Sequence, residues 1–239
     1  EEVKDGNIVT FGITPTRPEI GYGYLEISKQ KHGEAFNVKK FIEKPNLAKA
    51  NKMINAGTYL WNAGIFMFKS NDIITAFKNF ANDIYKLTKN ALEQADTDLG
   101  FLRLNSEFWE KIENISIDFA IMEKAKNIVA IPYSSKWSDL GDWEALWSET
   151  KKDQSGIALS KSAHAIECTD SFLFSSTSNQ QIVGLGLDNI IAVAMPDAVL
   201  VVKKNKVQDV KKIVDYLKIK NIKQAEFFQK DHRPWGWFE

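Results

Sequence analysis

An acidic–basic pair at the end of one strand and a lone amide inside another mark where this chain could do chemistry. Glu43 and Lys44 follow Val38-Lys-Lys-Phe-Ile42, which alternates as a strand does, and Pro45 stops it. Asn62 lies in Tyr59-Leu-Trp-Asn-Ala-Gly-Ile-Phe-Met-Phe68, an otherwise apolar run that reads as a buried strand. A buried amide left bare costs about 1–3 kcal/mol, so Asn62 needs hydrogen-bond partners, and a ligand is a candidate for one of them. Gly21-Tyr-Gly23-Tyr24 precedes a short strand at Leu25–Ile27. Glycine there permits close backbone approach to a ligand, although on its own the segment reads as a turn into a strand. Asp118, in Ser116-Ile-Asp118, complements the dipole of a helix read over Phe119 to Lys126, with Ser116 as its cap. Direct ligand contact by Asp118 is the alternative. Asp139 stands in Trp137-Ser-Asp-Leu-Gly141, beside a glycine, where a carboxylate can face a cation without being blocked. Magnesium takes one or two such carboxylates together with phosphate oxygens and water. On the residues alone, a solvated turn aspartate explains Asp139 more simply.

These side chains need a frame. Ile8 to Ile13 reads as a buried strand, and Thr14-Pro-Thr-Arg-Pro18 as a turn-rich loop. Asn46 is a good N-cap for a helix over Leu47–Asn55, which Gly57 closes. Ser70-Asn-Asp72 opens a helix to about Phe80, and Ile84 to about Ala95 is a second. Phe101 to Asn114 is ambiguous, with Phe108-Trp109 expected to pack. Ile128–Pro132 is a strand, and Asp142 caps a helix from Trp143 to Thr150. At Lys151–Gly156 the composition turns to that of a linker. Beyond it, short strands recur at 163–168, 171–175, 181–184, 189–195 and 198–202, the pattern of a β-rich module. Val207 to Lys218 is an amphipathic helix with Val207, Val210, Ile213, Val214 and Leu217 on one face, and the lysines around it read as a solvated surface. The expected division is residues 1–150, 157–220 and a tail at 221–239.

Composition narrows the function classes. The 239 residues carry 31 Lys plus Arg and 31 Asp plus Glu, a net charge of +0, which gives no reason to expect nucleic acid or an anionic membrane as partner. A local basic pocket, enough for a small anionic ligand, remains compatible. The single cysteine, Cys168, excludes an internal disulfide and a cysteine zinc site, and reads as a small packed residue. His32, His164 and His232 form no metal-spaced pair. No stretch has the roughly 18 apolar residues of a membrane span, and no signal peptide opens the sequence, so the cytoplasm is the expected location.

Phe41-Ile-Glu43-Lys44-Pro45 followed by Trp61-Asn62-Ala-Gly64 resembles the sugar-phosphate half of the mannose-1-phosphate guanylyltransferases. Gly21-Tyr-Gly-Tyr24, Ser116-Ile-Asp-Phe-Ala-Ile-Met-Glu123 and Trp137-Ser-Asp-Leu-Gly-Asp-Trp143 agree with it in order, over nearly the whole chain. The resemblance implies part of an α/β nucleotide-diphospho-sugar transferase domain with a mixed sheet, then a small left-handed β-helix-like domain and a C-terminal helix. It implies guanylyl transfer from GTP to mannose 1-phosphate, with Mg2+ as cofactor, giving GDP-mannose and pyrophosphate. The roles it implies are Lys44 on the sugar phosphate, Glu43 and Asn62 on sugar hydroxyls, Gly23 offering backbone contacts, Asp118 bordering the sugar pocket, and Asp139 holding the metal. Lys44 and Asp139 are the catalytic candidates. A homo-oligomer, a dimer formed through the β-rich module, is the expected assembly.

The family's glycine-rich nucleotide loop, of the type Gly-Gly-x-Gly-Thr-Arg-Leu, does not occur in these residues. The chain therefore reads as the second half of such an enzyme, inactive by itself. In longer relatives, a segment like Arg233-Pro-Trp-Gly236 leads into a cupin domain with mannose-6-phosphate isomerase activity. Two rival readings stand beside this one: another sugar-1-phosphate nucleotidyltransferase, and a non-catalytic oligomerisation fragment acting through residues 157–220.

Overall fold

The computed structural model describes residues 1–226, 231–233 and 236–238. The side chains of His32 and His232, and the Pro234–Trp235 part of the Arg-Pro-Trp-Gly segment, lie outside the described residues. The chain divides into two compact units, Glu1–Trp137 and Ser138–Glu239.

In the first unit the strands are β1 (Ile8–Ile13), β2 (Tyr24–His32), β3 (Ala35–Ile42), β4 (Tyr59–Met67), β5 (Asp96–Asp98), β6 (Phe101–Arg103) and β7 (Ile128–Tyr133). The helices are α1 (Leu47–Ala56), α2 (Ser70–Phe80), α3 (Asn82–Glu93) and α4 (Ser106–Trp109). Five strands pair in a closed ring, β1-β4-β2-β3-β7. The sheet is mixed: β1 runs parallel to β7 and antiparallel to β4, and the other pairings are antiparallel. One cluster of apolar side chains joins Ile8, Leu25, Phe41, Leu60 and Ile128 to Ile73 and Ala76 of α2 and to Ala120, Ile121 and Met122. A second joins Ile13, Tyr24 and Trp61 to Ala50 and Met53 of α1. Helix α1 has the expected caps. Asn46 accepts from the Lys49 amide at 2.9 Å, and Gly57 ends the helix with φ 66°.

Four local expectations differ from the structure. Strand β4 is buried only through Asn62; Ile65 and Met67 are exposed, because Gly64 (φ 71°) interrupts the alternation and only Phe66 and Phe68 turn inward. No Ser70 side chain caps α2, whose N-cap is Lys69. Phe101 to Asn114 resolves into β6, in a hairpin with β5, and the short α4, and Trp109 is exposed rather than packed. The helix expected over Phe119–Lys126 is a single π turn, Asp118–Met122, with no side-chain cap; Ser116 contributes its carbonyl to the Ala120 amide instead.

The second unit holds α5 (Trp143–Glu149), β8 (Ala158–Leu159), β9 (Ala163–Ile166), β10 (Phe172–Ser175), β11 (Ile182–Leu185), β12 (Ile190–Ala194), β13 (Val199–Lys203), α6 (Val210–Ile219), β14 (Asp231–Arg233) and β15 (Gly236–Phe238). Strands β8, β10 and β12 stack in parallel, as do β9 and β11. Equivalent positions of successive coils, such as Thr169 and Asp188, or Ser171 and Ile190, are 19 residues apart. This is a β-helix coil, closed on one side by antiparallel β13. Leu173, Ala163 and Ala192 pack inside it. Phe172, Ile191 and Val193 face out, where Trp143, Leu146 and Trp147 of α5 cover them. That packing is why the compact-unit boundary falls before α5, ahead of the Lys151–Gly156 linker. Asp142 caps α5 as expected, accepting from the Ala145 amide at 2.7 Å. Val207 lies in a 3-10 turn, Lys204–Asp209, and is buried, whereas Ile213 and Val214 of α6 are largely exposed. One of the flanking lysines is not simply solvated: the Lys204 ammonium lies 3.7 Å from the Trp147 ring centre.

Candidate functional site

Loop 14–23 is built on a buried tyrosine. The Tyr24 hydroxyl accepts from the Glu19 amide at 3.0 Å and donates to the Glu19 carbonyl at 2.8 Å, and the Glu19 carboxylate accepts from the Gly21 amide at 3.0 Å. The loop thus delivers Gly23 to a defined place, and its carbonyl accepts the Asn62 amide N–H at 2.8 Å. Gly23 does more than offer backbone. A Cβ there would lie 2.6 Å from Glu43 Oε2 and 3.3 Å from Asn62 Cβ. The missing side chain is the space the Glu43 carboxylate occupies.

Asn62 is 8% exposed, and its Oδ1 accepts from the Thr10 hydroxyl at 2.8 Å. With the oxygen so engaged, its NH2 is the group left to meet a hydroxyl; no partner for it is found among the described residues. Glu43 and Lys44 follow the last residue of β3. The Glu43 side chain is 9% exposed, the Lys44 side chain 63%, and Lys44 Nζ lies 3.4 Å from Glu43 Oε1. Lys44 has φ 42°, left-handed, directly ahead of a proline, which disfavours helical conformations in the residue before it. Such backbone persists where surrounding structure imposes it, and it recurs at ligand sites.

Asp118 opens the π turn, and Glu123 follows its end. The Glu123 amide donates to the Asp118 carbonyl at 2.9 Å, and Glu123 Oε1 accepts from the Glu43 amide at 3.2 Å. Burial, then the charge of Asp118, and less strongly that of Glu123, raise the Glu43 carboxyl above its ordinary 4.5, while Lys44 opposes them. The folded protein therefore holds this proton more tightly than the unfolded chain. The stabilisation is complete below pH 4.5 and is lost as pH rises through the raised value. Glu43→Gln should remove this part of the pH dependence, so the variant gains stability relative to the wild type as pH rises across that window. Urea denaturation from pH 4 to pH 8 measures it; parallel curves for the two proteins would contradict the raised carboxyl.

The first unit thus brings together Gly23, Glu43, Lys44, Asn62 and Asp118, and adds two residues that the sequence reading passed over. Thr10 carried a signal, a hydroxyl inside the apolar run Ile8-Val-Thr-Phe. Glu123 closes the family-like stretch Ser116–Glu123, but nothing in that stretch points to its partner Glu43, 80 residues away.

Asp139 belongs to the second unit. Its Oδ1 accepts from the Gly141 amide at 3.0 Å across Leu140, whose φ is 50°. A Cβ on Gly141 would lie 2.5 Å from Oδ2, so the carboxylate folds down over the glycine. Among the described residues no group of three or more His, Cys, Asp or Glu could hold a metal. A single presented carboxylate fits a cation that takes most of its ligands from phosphate and water; it does not fit an all-protein cage.

Gly23→Ala gives a sharp expectation. The nearest obstacle is the far end of a flexible side chain, so the carboxylate can yield and the fold should tolerate the change. Glu43 can then no longer lie against Gly23. In the sugar-binding role that the resemblance implies for Glu43, sugar-phosphate affinity should fall by roughly tenfold or more with little change in thermal unfolding, the loss being that of a charged hydrogen bond. Unaltered affinity on calorimetric titration would remove Gly23 from the site.

Residues 1–156 match the nucleotidyl transferase family, and residues 165–217 match the MannoseP isomerase/GMP-like beta-helix domain. The mannose-1-phosphate guanylyltransferase RfbM of Salmonella typhimurium is 37% identical over 236 residues, 99% of this chain and 49% of the relative. The mannose-1-phosphate guanylyltransferase of Escherichia coli K12 is 32% identical over 238 residues, 98% of this chain and 49% of the relative. The chain thus spans about half the length of these curated relatives. Among solved structures, a Thermus thermophilus protein described as a mannose-1-phosphate geranyltransferase superposes with a TM-score of 0.73 at 27% identity, over 90% of this chain and 62% of that one. A mannose-6-phosphate isomerase from Helicobacter pylori superposes with a TM-score of 0.52 at 30% identity, over 57% of this chain and 53% of that one. The chain belongs to the nucleotidyl transferase family and joins to that domain a β-helix of the MannoseP isomerase/GMP-like kind.

Proposed function

We propose that this chain forms the sugar-phosphate half of a mannose-1-phosphate guanylyltransferase, which converts GTP and mannose 1-phosphate to GDP-mannose and pyrophosphate. The observation that carries the proposal is the convergence of Gly23, Glu43, Lys44 and Asn62 on one end of the β2–β3–β4 sheet. In this reading residues 1–150 are the sugar-phosphate-binding part, 157–220 the β-rich domain and 221–239 a tail. The relatives' names support the choice of sugar and nucleotide. The reaction belongs in the cytoplasm, where GTP and sugar phosphates are made.

The phosphate of the sugar is already a nucleophile at neutral pH, so the protein's task is to bring two anions together and hold charge where it develops. Lys44, exposed and paired with Glu43, is free to exchange that carboxylate for the sugar phosphate. Glu43 then accepts from sugar hydroxyls, and the Asn62 NH2 donates to another. Asp118 adds negative charge beside Glu43 and so favours hydroxyl donors there. Enzymes of this family generally use a divalent metal. We assign it as Mg2+, with Asp139 as its ligand from this chain; when bound it would neutralise phosphate charge. The test is calorimetric titration with mannose 1-phosphate, glucose 1-phosphate and galactose 1-phosphate, together with nucleotide-sugar analysis of the polypeptide that carries these residues. GDP-mannose as product is the expected result. Preference for another sugar phosphate would support a sister nucleotidyltransferase instead.

We also infer that the β-helix pairs with a second copy. Val183 and Leu185 of β11 and Val199 and Val201 of β13 are all more than half exposed, apolar side chains of the kind that proteins cover. Light scattering at high micromolar concentration should give a dimer; a monomer there would reject the pairing.

A further inference from the structure

We propose that Glu123 is a positioning residue for sugar-phosphate recognition, its carboxylate tying down the Glu43 backbone and so setting where Glu43 and Lys44 stand. The sugar-phosphate part of this rests on the function proposed above.

The β2–β3 ladder ends at Tyr24 and Ile42, so the Glu43 amide lies past the last strand pairing and is open to a side-chain acceptor. It finds Glu123 Oε1 at 3.2 Å. The next residue, Lys44, holds its left-handed φ of 42° ahead of Pro45. No local preference supports that conformation, so the turn depends on its anchors: the Glu123 carboxylate on one side, buried Pro45 and the Asn46 cap of α1 on the other.

Glu123 is suited to the role because its own position is set by the core. The π turn before it buries Ala120, Ile121 and Met122, and the Glu123 amide is bonded to the Asp118 carbonyl. The carboxylate therefore reaches out from a fixed stem. The charged groups facing Glu43 are Asp118 at the start of the π turn, Glu123 just past its end, and Lys44 from its own turn; Gly23, just ahead of β2, lies against the Glu43 carboxylate and carries no charge. A glutamate here adds repulsion toward the Glu43 carboxyl. That cost separates its two contributions, a hydrogen-bond acceptor and a negative charge, and makes them distinguishable.

The experiment compares Glu123→Ala and Glu123→Gln with the wild type in the polypeptide that carries this chain. The glutamine keeps an acceptor oxygen and loses the charge; the alanine loses both. Glu123→Ala should raise KM for mannose 1-phosphate about tenfold or more, with KM for GTP unchanged. Glu123→Gln should restore KM while moving the acid limb of the kcat/KM profile to lower pH, because Glu43 then ionises more easily. Amide hydrogen exchange at Glu43 supplies a readout free of any ligand: faster by about tenfold or more in Glu123→Ala, unchanged in Glu123→Gln. Unchanged exchange and KM in Glu123→Ala overturn the proposal. So does a glutamine variant as impaired as the alanine. A wild type that makes no GDP-mannose rejects the function proposed above, and the exchange measurement then decides the Glu123 clamp alone.

Discussion

Replacing Lys44 by alanine is expected to lower kcat/KM for mannose 1-phosphate by roughly 10- to 150-fold, the loss of one charged hydrogen bond of about 1.5–3 kcal/mol. The effect should fall on mannose 1-phosphate and leave KM for GTP unaltered, because in the proposed site the Lys44 ammonium meets the sugar phosphate. A second consequence follows from its partner. Without Lys44, Glu43 keeps its burial and the repulsion of Asp118 and Glu123 but loses the one opposing cation. Its carboxyl should rise further, so the acid limb of the kcat/KM profile moves to higher pH. Asp139→Ala should fail differently. In the proposed role of Asp139 as a metal ligand, the loss is offset by mass action, so the variant's activity, down by roughly tenfold or more, should recover in part with excess magnesium. Steady-state GDP-mannose formation over a magnesium titration separates the two. Identical magnesium responses in both variants would reject the division of roles, and unchanged kinetics in either would remove that residue from the site.

In the second unit, Phe172→Ala should destabilise the β-helix by about 3–5 kcal/mol, a large share of the roughly 5–15 kcal/mol that holds a typical domain together. Phe172 is 2% exposed and sits where β10 meets α5, among Ala158, Ile191, Trp143, Leu146 and Trp147. Its ring centre is 5.9 Å from that of Phe174. Truncation leaves a cavity that the stacked coils cannot close, because the ladders to β8 and β12 hold the Phe172 backbone on both sides. Val201→Ala, on the exposed side of β13 in the same sheet, should change monomer stability by no more than about 0.5 kcal/mol. Urea denaturation of the two variants, followed by tryptophan fluorescence, makes the comparison. Equal stabilities would mean that α5 does not cover the coil as described.

Elements with local causes were legible from the residues themselves. Asn46 and Gly57 bound α1, and Asp142 starts α5, because a cap is a bond between neighbours. The recurring short strands beyond residue 157 appear nearly where their composition placed them, and the mixed sheet followed by a β-helix matches the fold class. The order of motifs around Glu43, Lys44, Asn62, Asp118 and Asp139 pointed to the family. What the residues did not show depends on distant partners. Ser116 and Asp118 have the composition of a helix start, yet the chain forms only a five-residue π turn, whose Ala120, Ile121 and Met122 join the core. Trp143 to Glu149 precede the linker in sequence, and only the apolar face of β10 and β12 draws them into the second unit. Gly23 resembled a ligand-facing turn, and only the Glu43 oxygen 2.6 Å from its absent Cβ shows what the glycine makes room for. Thr10 and Asn62, or Glu43 and Glu123, have no local reason to meet. Their bonds form because β1 lies against β4 and the π turn packs under β3, and strand pairing and core packing are properties of the folded chain, not of any window of its sequence.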